Sequence, residues 1–156
     1  MYRVLVTGSR EFTNRTLVHQ TLSAIAANYR PLVVIHGGAM GADKFAQMWA
    51  ETKDYVKIEE VPAEWGRQCD EKCTHQPTLK HVDGKEVSWC PQAGFIRNQE
   101  MVDRGADVCL AFFKSHSDAD GITVDAYDGK KLNRGTIDCA TRAEAAGINT
   151  YRYWGN

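Results

Sequence analysis

Residues Val33 to Asp43, reading Val-Val-Ile-His-Gly-Gly-Ala-Met-Gly-Ala-Asp, leave few folds open to this chain. A short apolar run empties into Gly37, Gly38 and Gly41, and Phe45, Ala46, Met48, Trp49 and Ala50 then recur at helical spacing. A continuous apolar run suits a strand covered on both faces, and the periodic stretch suits a helix packed against it. The glycines let the backbone turn sharply and let an anion or a ribose approach bare amides. A helix starting near Gly41 aims its positive end at the same spot. The stretch is expected to be a strand, a binding loop and a helix.

Two further loops of this kind follow strands. Val4 to Thr7 runs into Gly8-Ser9-Arg10, and Val108 to Phe112 is followed, after a detour, by Arg134-Gly135-Thr136 opening a helix. In an open parallel sheet a ligand sits beyond the carboxyl ends of the strands, where the strand order reverses. The three loops therefore describe one crevice, with Gly8, Ser9, Gly37, Gly38, Gly41, Gly135 and Thr136 offering amides and hydroxyls. Arg10 offers a guanidinium whose fixed fork suits two phosphate oxygens. Asp43, in the first turn of its helix, fits a cap, a link to Arg97 or a ribose contact equally. His36, at a strand end, is read as hydrogen-bonded scaffold ahead of a general base.

The rest of the chain alternates in the same way. A helix is expected from Asn14 to about Asn28, capped by Asn14 or Thr13, then strands over Leu32–Ile35 and Val56–Val61, the latter stopped by Pro62. A helix from Gly94 to about Arg104 precedes the strand at 107–112, and a helix over Thr136–Ala146 leads to a last strand over Asn149–Tyr153. This pattern predicts a three-layer, Rossmann-like α/β sandwich. Its sheet has five mostly parallel strands in the order 3-2-1-4-5, all in a single domain over residues 1–156.

Two segments break the alternation. Between residues 63 and 93 lie Cys69, Cys73, His75, His81 and Cys90, in a loop too long to hold itself inside a compact domain. Three thiols and an imidazole make a Cys3His zinc site, with Cys69, Cys73, Cys90 and either His75 or His81 as ligands. The spacing lacks the two-residue knuckle of zinc ribbons, so a plain loop with free thiols is the competing reading. Cys109 lies in an apolar strand and reads as a small core residue. The second segment, 114–134, is expected to form a hairpin or lid. Ile122, Val124 and Tyr127 stand in it beside Asp128-Gly129 as a candidate turn, and Asp118, Asp120 and Gly121 fit a calcium loop poorly.

At 156 residues with 43% apolar side chains the chain is long enough for a core, and its 19 basic and 20 acidic residues leave a formal net charge of -1. No global field gathers a polyanion, so nucleic acid is disfavoured as the main partner. No run approaches a membrane span and the amino terminus shows no apolar signal region, from which a cytoplasmic protein without a membrane partner is expected. An odd count of five cysteines argues against a disulfide framework. A homodimer or higher homo-oligomer is left open.

Four motifs then occur in order: Gly8-Ser9-Arg10-Glu11-Phe12, His36 to Asp43, Pro62-Ala63-Glu64-Trp65, and Ala93-Gly94-Phe95-Ile96-Arg97-Asn98-Gln99-Glu100-Met101. Together they resemble the SLOG superfamily, specifically its YspA/YpsA-related branch of small Rossmann-like proteins, familiar from actinobacteria and their phages. The resemblance implies a nucleotide-binding crevice, with Arg97 and Asn98 at the ligand. The superfamily also includes LOG phosphoribohydrolases, which cleave the N-glycosidic bond of nucleoside monophosphates, and DNA-processing proteins related to DprA. Arg97 falls where LOG enzymes carry the arginine of an Arg-Lys motif, and Gly135-Thr136 where they carry Gly-Thr. Cys139 falls where they place the catalytic glutamate, and Leu132-Asn133-Arg134 replaces their Pro-Gly-Gly. A thiol neither stabilises an oxocarbenium-like transition state nor activates water well, and Glu64, Glu100 and Asp138 read as solvated acids, so no catalytic residue is assigned. The leading expectation is binding of a nucleoside phosphate or an ADP-ribose or NAD-derived ligand, for sensing or sequestration. The alternatives are a nucleotide N-glycosidase and a DprA-like DNA-processing accessory.

Overall fold

The computed structural model describes residues 1–71, 73, 78–117, 123–124 and 133–155, with the backbone alone at 78–82, 87–88, 116–117 and 123–124. Its elements in chain order are β1 (Tyr2–Gly8), α1 (Arg15–Asn28), β2 (Leu32–His36), α2 (Ala42–Glu51), β3 (Val56–Glu60), β4 (Thr78–Val82) and β5 (Lys85–Trp89). There follow α3 (Ala93–Asp103), β6 (Val108–Lys114), β7 (His116–Ser117), β8 (Thr123–Val124), α4 (Arg134–Ala145) and β9 (Asn149–Gly155).

Successive side chains on a strand face opposite ways, so a strand apolar at every position needs a layer on each side. Val4 and Val6 of β1 join Val34 of β2 and Leu110 of β6 in a cluster with Val18 and Leu22 of α1 and Ala46 and Trp49 of α2. The intervening Leu5, with Val33, Ile35 and Cys109, packs on Met101 and Val102 of α3 and Cys139 and Ala143 of α4. Each of the Val, Leu, Ile and Met side chains among them contributes about 1.5–3 kcal/mol when fully buried. The sheet runs β3-β2-β1-β6-β9, and all four pairings are parallel. Counting only its own five strands this is the expected order 3-2-1-4-5, and the reversal falls between β1 and β6.

Local signals read from the sequence hold at the helix ends. Asn14 Oδ1 accepts the Leu17 amide at 3.0 Å and so caps α1. Gly147, at φ 80°, ends the turn after α4.

Of the two irregular segments, the first is not merely a loop. β4 and β5 pair antiparallel with Val82 opposite Lys85, around Asp83 and Gly84 at φ 51° and 77°. Two consecutive left-handed residues are the requirement of a type I′ turn, whose twist matches that of the strands it joins. In the second segment β7 and β8 form a two-residue antiparallel ladder. The turn at Asp128-Gly129, the calcium-loop residues Asp118, Asp120 and Gly121, and Ile122 and Tyr127 lie outside the described residues. No helix among the described residues is long and apolar enough to cross a membrane.

Candidate functional site

Beside the point where the strand order reverses, the end of β1 opens onto a cavity of about 760 Å³. Gly8, Ser9 and Arg10 line it from the β1 loop, Asp43 from α2, Arg97 and Asn98 from α3, and Gly135 and Thr136 from α4. Eight of the residues expected at one crevice are therefore brought together. Gly37, Gly38 and Gly41 lie off its wall. A Cβ on Gly37 would meet Arg97 Nη1 at 2.2 Å, and one on Gly41 would meet the Ser9 carbonyl at 2.2 Å. These two glycines let Arg97 and the β1 loop seat closely against the turn.

The first turns of α2, α3 and α4 all contribute to the wall, and among the described residues none of their N-cap residues makes a side-chain capping bond. At α4 the capping residue Asn133 is committed elsewhere. Its Oδ1 accepts the Lys114 amide at 2.9 Å and its Nδ2 donates to the Lys114 carbonyl at 3.0 Å. The amides that open α4 thus keep their partial positive charge toward the cavity. Arg10, Arg97 and Arg134 face Glu11 and Asp43 there, so the wall carries an excess of cationic groups although the whole chain is slightly acidic.

Asp43 is 4% exposed, and its Oδ2 accepts the amides of Gly37 at 3.0 Å and Ala39 at 3.3 Å. It therefore staples the glycine loop. Its Oδ1 is buried with no hydrogen-bond partner among the described residues. Burial pushes the carboxyl above its ordinary range, against the opposing pull of His36, Arg97 and the two amides. His36 accepts the Gly38 amide on Nδ1 at 3.0 Å, and its Nε2 lies 2.6 Å from Gln47 Oε1. Both ring nitrogens are thus engaged, as scaffold.

Arg97 is anchored from below. Its Nη1 donates to the Gly37 carbonyl at 2.7 Å, and its Nε donates to Asn98 Oδ1 at 3.0 Å. Asn98, 3% exposed, donates through Nδ2 to the Gly135 carbonyl at 3.1 Å and to Asp138 Oδ2 at 3.0 Å. The pair locks α3 to the start of α4. Cys139 is fully buried among Leu5, Ile35 and Met101, and burial pushes its thiol up to about 12. Cys109 is likewise fully buried, in the strand where it was expected to pack.

Trp65 and Trp89 also stand on the cavity wall with Phe95 and Arg134. Trp65 falls in the Pro62-Ala63-Glu64-Trp65 motif, whereas no motif marks Trp89. The usable signal was the hairpin itself, since the register of β5 carries Trp89 to the strand end beside Cys90.

Next to this wall Cys69, Cys73 and Cys90 converge, with their sulfurs all within 4.8 Å of one another and Cys73 and Cys90 3.9 Å apart. Sulfurs sharing a tetrahedral zinc ion would lie about 3.8 Å apart, from a bond length near 2.3 Å. The cluster can hold a metal ion. Arg67 Nη1 donates to the sulfurs of Cys73 at 3.3 Å and Cys90 at 3.4 Å, which suits thiolates that would otherwise repel one another. None of the five cysteines forms a disulfide. His75 and the side chain of His81 lie outside the described residues, so the fourth ligand is not assigned.

An open, wholly parallel sheet with helices on both faces and a polar crevice at its switch point defines the Rossmann-like class. Within that class, the profile of the YspA, cpYpsA-related SLOG family matches residues 2–67, a stretch running from β1 through the glycine loop to Trp65. The Gene 61 protein of Mycobacterium phage D29 is 37% identical over 149 residues, covering 95% of this chain and 93% of the phage protein. The chain belongs to the YspA, cpYpsA-related SLOG family. Membership suggests a nucleotide-related role. No solved structure matches the chain.

Proposed function

We propose that the protein binds a nucleotide-type small molecule, a nucleoside phosphate or an ADP-ribose or NAD-derived ligand, in the cavity at the switch point, for sensing or sequestration. The observation that carries this reading is the convergence of three helix starts without side-chain caps on one cavity that also holds Arg10, Arg97 and Arg134. Helix N-termini favour phosphate, and guanidinium groups hold it in two-pronged fashion. The Thr136 hydroxyl and the amides of Gly8 and Gly135 are the polar groups assigned to the phosphate, and the Ser9 hydroxyl, which donates its proton to Glu11 Oε2 at 2.9 Å, is left to accept from a ribose hydroxyl. Arg97 and Asn98 hold the loops that present them, with the remaining N–H groups of Arg97 turned to the ligand.

No observation favours the alternatives. The thiol that stands where a LOG-type glutamate is expected is sealed in the core and protonated, and the balanced charge of the chain offers no field for DNA. Zinc is the metal assigned to the cysteine cluster, because a set of three converging thiol ligands suits it.

The test is calorimetry with nucleoside 5′-monophosphates. Exposed Arg10 is the informative position, since its removal opens no cavity in the core. Arg10→Ala is expected to weaken binding by about 1.5–3 kcal/mol, the range for a charge-assisted hydrogen bond, with an unchanged melting temperature. Absence of heat with every nucleotide tried would remove the reading.

A further inference from the structure

We propose that Trp65 and Trp89 form a stacking subsite for a planar nucleobase, at the end of the cavity bounded by the hairpin of β4 and β5. The proposal rests on the nucleotide reading above and assigns the part of the ligand that the polar wall leaves unexplained. The two indoles lie nearly parallel, with centroids 5.4 Å apart and planes inclined by 7°. Among the described residues neither belongs to the apolar clusters that fill the two faces of the sheet, and both are half-buried on the cavity wall. An aromatic surface on the wall of a polar crevice is what a planar heteroaromatic ring requires, whichever base it belongs to.

Their placement makes the aromatic wall continuous with the polar one. The Arg10 guanidinium lies over the Trp65 ring at 5.7 Å, so the side chain proposed to meet phosphate also touches the stacking surface. A Cβ on Gly94 would sit 3.1 Å from Trp65 Cη2, which places the indole edge directly on the first turn of α3. The wall is held from behind by the cysteine cluster. The Cys90 amide, next in sequence to Trp89, donates to the Trp65 carbonyl at 2.7 Å, and Arg67, two residues beyond Trp65, reaches the sulfurs of Cys73 and Cys90. One small cluster thus fixes both aromatic residues. A cavity of about 760 Å³ has room for a base, a sugar and phosphate together.

The experiment compares ribose 5-phosphate with the adenosine, guanosine, cytidine and uridine 5′-monophosphates by calorimetry, on the wild-type protein and on Trp89→Leu and Trp89→Phe. At least one nucleotide is expected to bind about tenfold or more tightly than ribose 5-phosphate, the gain of stacking one base. Trp89→Leu should bring that nucleotide close to ribose 5-phosphate while leaving ribose 5-phosphate itself unchanged, and Trp89→Phe should restore most of the preference. Indole fluorescence should be quenched by the nucleotide and not by ribose 5-phosphate. Equal binding of ribose 5-phosphate and all four nucleotides by the wild type would overturn the stacking subsite and leave the phosphate site standing. Equal weakening of both ligand types in Trp89→Leu, with no rescue by phenylalanine, would overturn it as a merely structural pair. Binding of neither ligand type would overturn the nucleotide reading and this one with it.

Discussion

Asp43 shows how one residue can be legible as important and illegible in its role. From sequence it fits a cap, a partner of Arg97 or a ribose contact. In the fold it staples the glycine loop through the amides of Gly37 and Ala39 and leaves Oδ1 buried without a hydrogen-bond partner among the described residues. Burial raises its folded-state affinity for a proton above that of the unfolded chain. The linkage then has a definite sign. Above the unfolded carboxylate range the charged group opposes folding, and this cost grows with pH until the folded-state value is passed. Acidification from neutrality through that interval should therefore stabilise the wild type relative to Asp43→Asn, whose amide does not titrate. The stability difference should change by no more than about 1.4 kcal/mol per pH unit, the limit for one proton. Denaturant unfolding of both proteins at several pH values measures it. A difference independent of pH would show that His36, Arg97 and the two amides balance burial, and one that moves the other way would show that they outweigh it. Asn98 carries a similar lesson. Its type suggests a ligand contact, yet its side chain is engaged by Arg97, Gly135 and Asp138, a tertiary arrangement that no local pattern announces.

At the scale of elements, the strands, the helices and the order of the main sheet were readable because each obeys a local rule. Val4-Leu5-Val6 and Val33-Val34-Ile35 must be covered on both faces, and the glycines after them must turn. The hairpin of β4 and β5 was equally local and was missed. Asp83-Gly84 is a preferred type I′ pair, but the two strands it joins are only five residues each and offer little alternation to read. The hairpin and the cysteine cluster should share one fate. Protein purified without added metal or chelator is expected to contain about one zinc ion per chain by elemental analysis. Chelation should speed amide exchange between about residues 62 and 93, while β1, β2 and β6 stay protected by their own apolar layers. Because Cys90 and Arg67 tie the cluster to Trp65, the same treatment should also weaken nucleotide binding. Zinc near zero, with Cys69, Cys73 and Cys90 all reacting freely with a thiol reagent, would show that the hairpin is held by other means.

For the molecule as a whole, the distribution of charge decides between a small ligand and a polymer. A formal net charge of -1 gives no long-range pull on nucleic acid, whereas the three arginines on the cavity wall act within a concave site. A protein built to hold single-stranded DNA neutralises many phosphates along a groove, and each one neutralised adds about 0.7 to the slope of log affinity against log salt. A cavity that accepts one nucleotide can engage only a phosphate or two. A nucleoside monophosphate has no condensed counterion layer to release, so its affinity is expected to fall with salt only through screening, with a slope no steeper than about -2. Single-stranded oligonucleotides should fail to bind at physiological salt, even where the mononucleotide does. Titrations of both ligands over a series of salt concentrations separate the cases. Retention of a long single strand with a slope of about -4 or steeper would require an extended basic track, and would move the protein from the small-molecule binders to the DNA-processing branch of its superfamily.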